Sequence, residues 1–379
     1  MNHCTRRYFF SLATYAGAAG MSALILPSCG PARNQHRTYA DSLASICNQV
    51  ITDTPDTIIK AANECANTIL TRGTCFIAPC TLHGGTVPDI PYLPAIFTII
   101  RSAGMAGATD VTDIIVSAGL PEEVVRAHNR GVPVIAIKTP EDGNSSPEAG
   151  ATAVITGDMP TDGTVSSPFP LTDTLIGAIT GEAYVRSGGI GLTNSATPAI
   201  AYRYIELVQE RTLSLDSRSD AVQAAATIMA DTLRNGGTAH IVDTCGLFHR
   251  DLASSIVLPP GIAALPVEAI PAARITPNDC IMYLSMTSGS RRDLSMVGRL
   301  TSAGAPLIAI CPHDEGGGFR VYKKAAVSID NSSPEKEGII SFDGGRNHFL
   351  HTGHIVNAAA AWNIIGETIR SLSETGRSA

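Results

Sequence analysis

The chain has 379 residues, 27 Lys and Arg against 34 Asp and Glu, a formal net charge of −7, and 44% hydrophobic but only 5% aromatic residues. An acidic chain without a Lys/Arg cluster argues against nucleic acid as a partner. The 35 glycines and the abundant Ala, Val and Ile fit an α/β protein with buried parallel strands, long enough for two full cores.

At the N-terminus, Thr5-Arg6-Arg7-Tyr8-Phe9-Phe10 sets paired arginines directly before aromatics. A moderately apolar run, interrupted by glycines, follows to Leu26, and no acidic residue occurs before Asp41. A charged region followed by an apolar one is the pattern of a twin-arginine export signal, expected over residues 1–28 and set apart from the fold. Leu26-Pro27-Ser28-Cys29 resembles a lipoprotein cleavage box with Cys29 as the lipidated residue, although proline at the middle position is atypical. The expected location is therefore the periplasm, free or as a membrane-anchored lipoprotein. A retained spanning helix would need about 20 apolar residues without glycine interruptions. Without residues 1–28 the charge becomes −9, from 25 basic and 34 acidic residues. The cysteines show no CxxC spacing, which points to free buried thiols rather than a zinc site or disulfide framework.

The rest of the chain repeats itself. A helical pattern over Ile58–Arg72 leads through Gly73 into the apolar strand Thr74–Ala78. A second pattern, Asp220–Asn235, leads through Gly236-Gly237 into Thr238–Val242. Glycine after the last turn is expected to supply a left-handed cap. Strands follow at 113–117 and 279–285, then amphipathic helices at Pro121–Asn129 and Asp293–Ala303. Gly131-Val132-Pro133-Val134-Ile135-Ala136-Ile137 recurs as Gly304-Ala305-Pro306-Leu307-Ile308-Ala309-Ile310. Strands at 153–158 and 325–330 and helices at Leu175–Tyr184 and Ile355–Ile369 complete the pairs. Strands without polar alternation, separated by helices, predict two three-layer αβα units with parallel sheets, at residues 38–188 and 196–375. The boundary is placed in Ser187-Gly188-Gly189-Ile190-Gly191, before a helix at Ala199–Arg211.

In open parallel sheets, ligands bind beyond the carboxyl ends of the strands. The second copy has a loop suited to this, Ser285-Met286-Thr287-Ser288-Gly289-Ser290-Arg291, whose hydroxyls and backbone N–H groups can surround an anion at a helix start. That loop, the strand at 304–310, Asn235-Gly236-Gly237, the loop Asp243-Thr244-Cys245-Gly246 and Asp330 together resemble the phosphosugar-binding sugar-isomerase (SIS) domains. The resemblance covers most of the second copy and, more faintly, the first. It implies a flavodoxin-like fold in tandem, and a sugar or sugar phosphate as ligand. It also implies Ser285, Thr287, Ser288, Gly289 and Ser290 as its oxygen ligands, with Thr244, Cys245 and Gly246 on the other side. No cofactor is implied, since nucleotide-binding glycine signatures are missing. A homodimer through the last helices is compatible with the resemblance, as is a pseudo-dimer of the two copies.

Two departures bear on chemistry. The first copy offers only Ala118-Gly119-Leu120-Pro121 where the second has its loop, so one functional site per chain is expected. SIS isomerases typically carry a glutamate base in the helix after the first strand. Here His249–Ser255 holds none, Asp251 comes a turn early, and Glu268 follows. His351 and His354, in the segment His348–His354 opening the last helix, are the acid/base candidates, because imidazole titrates near neutrality. If that segment is helical, the spacing of three also clusters the rings for a metal. Three readings remain open: an aldose–ketose type isomerase, a non-catalytic exported sugar-binding protein, and a metal-dependent hydrolase or lyase.

Overall fold

The computed structural model describes residues 38–53, 55–78, 97–99, 110–118, 122–138, 153–156, 169–188, 200–244, 248, 258, 260–313, 318–334, 338–342 and 347–376. The export signal, Cys29, Cys245, Gly246, the helix expected at 249–255 and the first-copy loop at 119–121 lie outside these residues, as does most of the proposed boundary between the copies.

Copy one runs α1 (Tyr39–Asp53), α2 (Pro55–Leu70), β1 (Cys75–Ala78), β2 (Phe97–Ile99), β3 (Ile114–Ala118), α3 (Glu122–Asn129), β4 (Val134–Lys138), β5 (Ala153–Thr156) and α4 (Phe169–Arg186). Copy two begins with α5 (Ile200–Leu213), α6 (Ser219–Arg234), β6 (Ala239–Asp243), β7 (Ile262–Ala264) and β8 (Cys280–Leu284). It continues with α7 (Arg291–Leu300), β9 (Leu307–Cys311), β10 (Val327–Asp330), the hairpin β11 (Ile340–Phe342) and β12 (Asn347–Phe349), and α8 (Gly353–Gly376). The sheets are β2-β1-β3-β4-β5 and β7-β6-β8-β9-β10, with every pair parallel. Counted within each copy, both orders are 2-1-3-4-5, the flavodoxin-like order, as expected from the sequence.

The repetition reaches individual atoms. Thr74 N–H donates to Asp113 Oδ1 at 2.8 Å, and Thr238 N–H to Asp279 Oδ1 at 2.7 Å. A Cβ on Gly73 would lie 2.0 Å from the Thr112 carbonyl oxygen, and one on Gly237 2.0 Å from that of Asn278. Both glycines are therefore required by the close approach of the third strand's entry. The cap itself differs between copies. Gly236 takes the left-handed conformation with φ +73°, but its counterpart is Arg72 at φ +69°, so the expected cap at Gly73 falls one residue earlier, on a residue with a Cβ.

Alternation along the strands sorts the core into layers. In β8, Cys280, Met282 and Leu284 face one cluster and Ile281 and Tyr283 another. In β3, Ile114 and Val116 share the first cluster, whereas Ile115 joins a third. α7 covers the outer face of the second sheet with Met296, Val297 and Leu300, and α3 that of the first with Val124 and Ala127. Both inner faces meet one continuous cluster built from α1, α2, α4, α5, α6 and α8. Nearly all of Pro170–Tyr184 in α4 and all of Ile355–Ile365 in α8 is buried, which suits helix stretches enclosed by other elements. Residues 37–379 accordingly form one compact unit. Cys47, Cys65, Cys75, Cys280 and Cys311 are buried and unbridged, with burial pushing the Cys47 thiol up to about 12 and Cys280 to about 11.

The condition for clustering the histidines, a helical segment from His348, is not met. Asn347–Phe349 is a strand of the hairpin, Leu350 turns with φ +66°, and α8 starts only at Gly353. The Thr352 carbonyl accepts the N–H groups of Ile355 and Val356 at 3.0 and 3.1 Å, fixing that start. His348 and His351 therefore do not share a helix face. Among the described residues no group of three His, Cys, Asp or Glu side chains is placed to hold a metal.

Candidate ligand site

The first strand of copy two, β6, lies between β7 and β8, so its crossovers leave in opposite directions and open a crevice at the carboxyl ends of β6 and β8. Thr244 follows β6 there, and the loop from Ser285 follows β8. Thr244 is tied to the end of β8, just before that loop: its N–H donates to the Leu284 carbonyl at 3.0 Å and its Oγ1 to the same oxygen at 3.2 Å. Asp243, buried at 4% exposure, accepts Phe248 N–H at 2.7 Å and so shapes the turn after β6.

Within the loop, depth separates the hydroxyls. Ser285 and Ser288 are buried, at 1% and 0% exposure, whereas Thr287, Gly289 and Ser290 are partly open. Ser290 caps α7, accepting Asp293 N–H at 3.0 Å. The Asp293 carboxylate, 4% exposed, gathers the rest: Tyr283 OH donates to Oδ1 at 2.7 Å, while Ser290 Oγ (2.6 Å) and Thr287 Oγ1 donate to Oδ2. Asp293 thus sets the loop's conformation from below.

Two supports reach the loop from distant sequence. Val321 N–H donates to the Ser288 carbonyl at 2.7 Å, laying residues 319–321 along the loop. A Cβ on Gly289 would meet Arg320 Nη1 at 2.1 Å, so the guanidinium rests on that glycine. From behind, Asn357 Nδ2 donates to the Ser285 carbonyl at 2.9 Å, and Asn331 Nδ2 donates to Asn357 Oδ1 at 2.8 Å. Ser333 N–H donates to Asn331 Oδ1 at 3.0 Å, Ser333 Oγ lies 3.2 Å from Thr352 Oγ1, and the Arg211 guanidinium donates to that Thr352 oxygen. Buried polar groups completed in this way hold a single geometry.

His351 and His354 belong to the segment that Asn357 fastens to Ser285. His351 is 8% exposed, and its carbonyl accepts Tyr204 OH at 3.0 Å; His354 is half-buried in the first turn of α8. Glu268 is exposed in a short 3-10 turn after β7. At the neighbouring carboxyl ends of β9 and β10, His313 N–H donates to Asp330 Oδ1 at 3.1 Å, and Arg218 pairs with Asp330 Oδ2 at 2.9 Å. Burial alone would raise the Asp330 carboxyl. The hydrogen bonds from Arg218, Ser332 and His313, with the charge of Arg218, outweigh it and leave the group below its ordinary value. The His313 ring lies 4.5 Å from that of Tyr322, and burial holds its imidazole below the ordinary value, against the pull of Asp330. An open cleft of about 270 Å³ between α7 and the turn after β7, lined by Val267, Ile270, Arg292 and Met296 among others, contains none of the predicted site residues.

Sequence reasoning proposed the loop by its hydroxyl-rich composition after a strand, and Thr244 by the family resemblance; the structure places both at neighbouring strand ends. Sequence reasoning missed Asp293, Arg320 and Asn357 as supports. Asp293 alone carried a local signal, standing three residues after Ser290 as in a capping box.

No family model matches the chain, and no curated protein matches it by sequence. Solved structures do match in fold. The C-terminal domain of glucosamine-fructose-6-phosphate aminotransferase from Francisella tularensis has a TM-score of 0.55 at 14% identity, covering 91% of this chain and 98% of that one. A protein of Clostridium difficile 630 assigned as a phosphosugar isomerase gives 0.54 at 14% identity, over 88% of this chain and 93% of that one. One of Salmonella typhimurium LT2 assigned as a sugar-binding protein gives 0.52 at 11% identity, over 88% and 98%. The chain has the tandem SIS-type fold; at these identities the likeness speaks for the fold alone.

Proposed function

We propose that the second copy binds a sugar or sugar derivative in the crevice between β6 and β8. The observation that carries this is the bonding of Thr244 to Leu284, the residue just before the Ser285–Ser290 loop, at the point where the strand order reverses. The names of the structures sharing the fold, a phosphosugar isomerase, a sugar-binding protein and an aminotransferase domain, support the ligand class. In this reading residues 196–375 carry the site, and residues 38–188 are a partner unit without a loop of its own. Residues 1–28 direct export, with Cys29 as lipid attachment point, which cell fractionation of an Arg6→Lys/Arg7→Lys variant tests.

Binding is tested by titration calorimetry with a panel of aldoses, ketoses and their phosphates. Gly289→Val displaces Arg320 and fills the loop, so it is expected to abolish binding while leaving the circular dichroism unchanged. Retained binding in this variant sinks the assignment. Catalysis is the finer question. With His351 or His354 as acid/base, an isomerase would exchange the proton on the carbon beside the carbonyl in heavy water; a binder would not. The burial of His351 favours binding without proton transfer.

A further inference from the structure

The open cleft between α7 and the short turn at Val267–Ala272 has a volume of about 270 Å³, a floor of Val267, Ile270 and Met296, and a wall of Arg292, Ser295 and Arg299. Ile270 and Met296 belong to the outer core, whereas the two arginines and the serine are exposed. Residues 292, 295 and 299 recur every three or four positions and so share one face of α7, with the arginines about 10 Å apart along its axis. Neither guanidinium has a partner among the described residues. Asp293, the only acid of α7, is turned to Tyr283, Thr287 and Ser290. Glu268 is exposed on the turn but does not line the cleft. Two unopposed positive charges therefore flank an apolar floor, on a chain of net charge −7.

The fold does not need this arrangement. One offset of 173 residues aligns Val297 and Leu300, which pack α7 on its sheet, with Val124 and Ala127 of α3. The same offset sets Gly119, Glu122 and Glu123 where the cleft has Arg292, Ser295 and Met296, and keeps only the second arginine, as Arg126. A helix of this layer is thus anchored without the basic pair.

The lining selects one kind of occupant. A small anion reaches one guanidinium and leaves the floor uncovered. A flat anionic membrane surface does not enter a recess, and two chains paired across a two-fold axis through the cleft would set these arginines against each other. A ridge of aliphatic side chains bracketed by carboxylates satisfies floor and wall together, as an amphipathic helix laid in a groove does. We propose that this cleft docks an acidic amphipathic helix of another protein, with carboxylates on Arg292 and Arg299 and aliphatic side chains on Val267, Ile270 and Met296. Carboxylates seven positions apart on such a helix match the spacing of the arginines, whose planar forks hold them bidentately.

The full chain is titrated with a labelled helical peptide that carries two glutamates seven positions apart and leucines between them, read by fluorescence anisotropy. Saturable binding is expected, weakened about tenfold in Arg299→Glu and further in Arg292→Glu/Arg299→Glu, and severalfold by raising salt from about 50 to about 500 mM. Both side chains are exposed, so the variants are expected to unfold at the parent's temperature, which separates lost docking from lost fold. Equal binding of the peptide with glutamine in place of glutamate overturns the proposal, as does binding that survives Arg299→Glu. Absence of peptide binding overturns it too, and Arg299-dependent capture of phosphatidylglycerol vesicles in that case assigns the face to a membrane.

Discussion

Asp293 concentrates more of the site's organisation than any hydroxyl it holds. Replacing it by Ala leaves three hydroxyl donors without their acceptor, of which Tyr283 is fully buried, and is expected to destabilise by about 2–4 kcal/mol. Denaturant unfolding checks this, as a lowered midpoint at unchanged slope. The histidines set a pH dependence. Burial lowers the imidazoles of His313 and His240, the latter against Asp279, whose Oδ2 is 3.9 Å away. The unfolded chain therefore takes up these protons first as pH falls. Stability is complete above about pH 6.5 and declines as the pH drops from there through the lowered folded values. His313→Gln is expected to flatten the fall in Tm between pH 7.5 and 5.5; an unaltered slope would place its origin elsewhere. The Nε2 of His313 is buried without a hydrogen-bond partner among the described residues, so the variant sacrifices little at neutral pH.

At the scale of elements, the backbone records where the copies have drifted. Arg72 sits left-handed where copy two has Gly236, and it is exposed, so Arg72→Gly is expected to stabilise by roughly 0.5–1 kcal/mol. The opposite outcome is expected inside α4. A Cβ on Gly181 would lie 2.5 Å from Leu350 Cδ1, and Gly181→Ala is expected to cost about 1–3 kcal/mol through overpacking. Thermal unfolding of the two variants should move Tm in opposite directions. These cases also show what local sequence can carry. The apolar runs of β3, β4, β8 and β9, with glycines before β4 and β9, pointed to parallel sheets, because burial on both faces removes polar alternation. The edge strands β2 and β7 have three residues each, too short to impose a pattern. His348–His354 was read with a helical period because spacing alone does not register the hairpin pairing of β12 with β11. The candidate loop stood out by its own composition. Arg320 and Asn357 did not, since their contacts to Gly289 and Ser285 are made across 31 and 72 positions of chain and leave no local trace.

On the scale of the whole molecule, the inner cluster joins residues such as Leu43, Leu175 and Ile179 of copy one to Tyr204, Met229 and Trp362 of copy two. Trp362 illustrates the mixture, with its ring 4.8 Å from Phe248 and 6.4 Å from Tyr39. Calorimetry of residues 38–379 is expected to give one unfolding transition, not two, since neither sheet's inner face is covered without the shared helices. No described helix is long and apolar enough to cross a membrane. The shared interior also bears on how such a gene can change over generations. If the first copy binds no ligand, as proposed, it would ordinarily be free to decay or be deleted. Here its helices α1, α2 and α4 share one core with the helices of copy two, so deletion would uncover the inner face of the second sheet. Selection can relax on the first copy's outer face while the inner one stays under constraint, so that a half without a ligand of its own would be kept as an inherited scaffold.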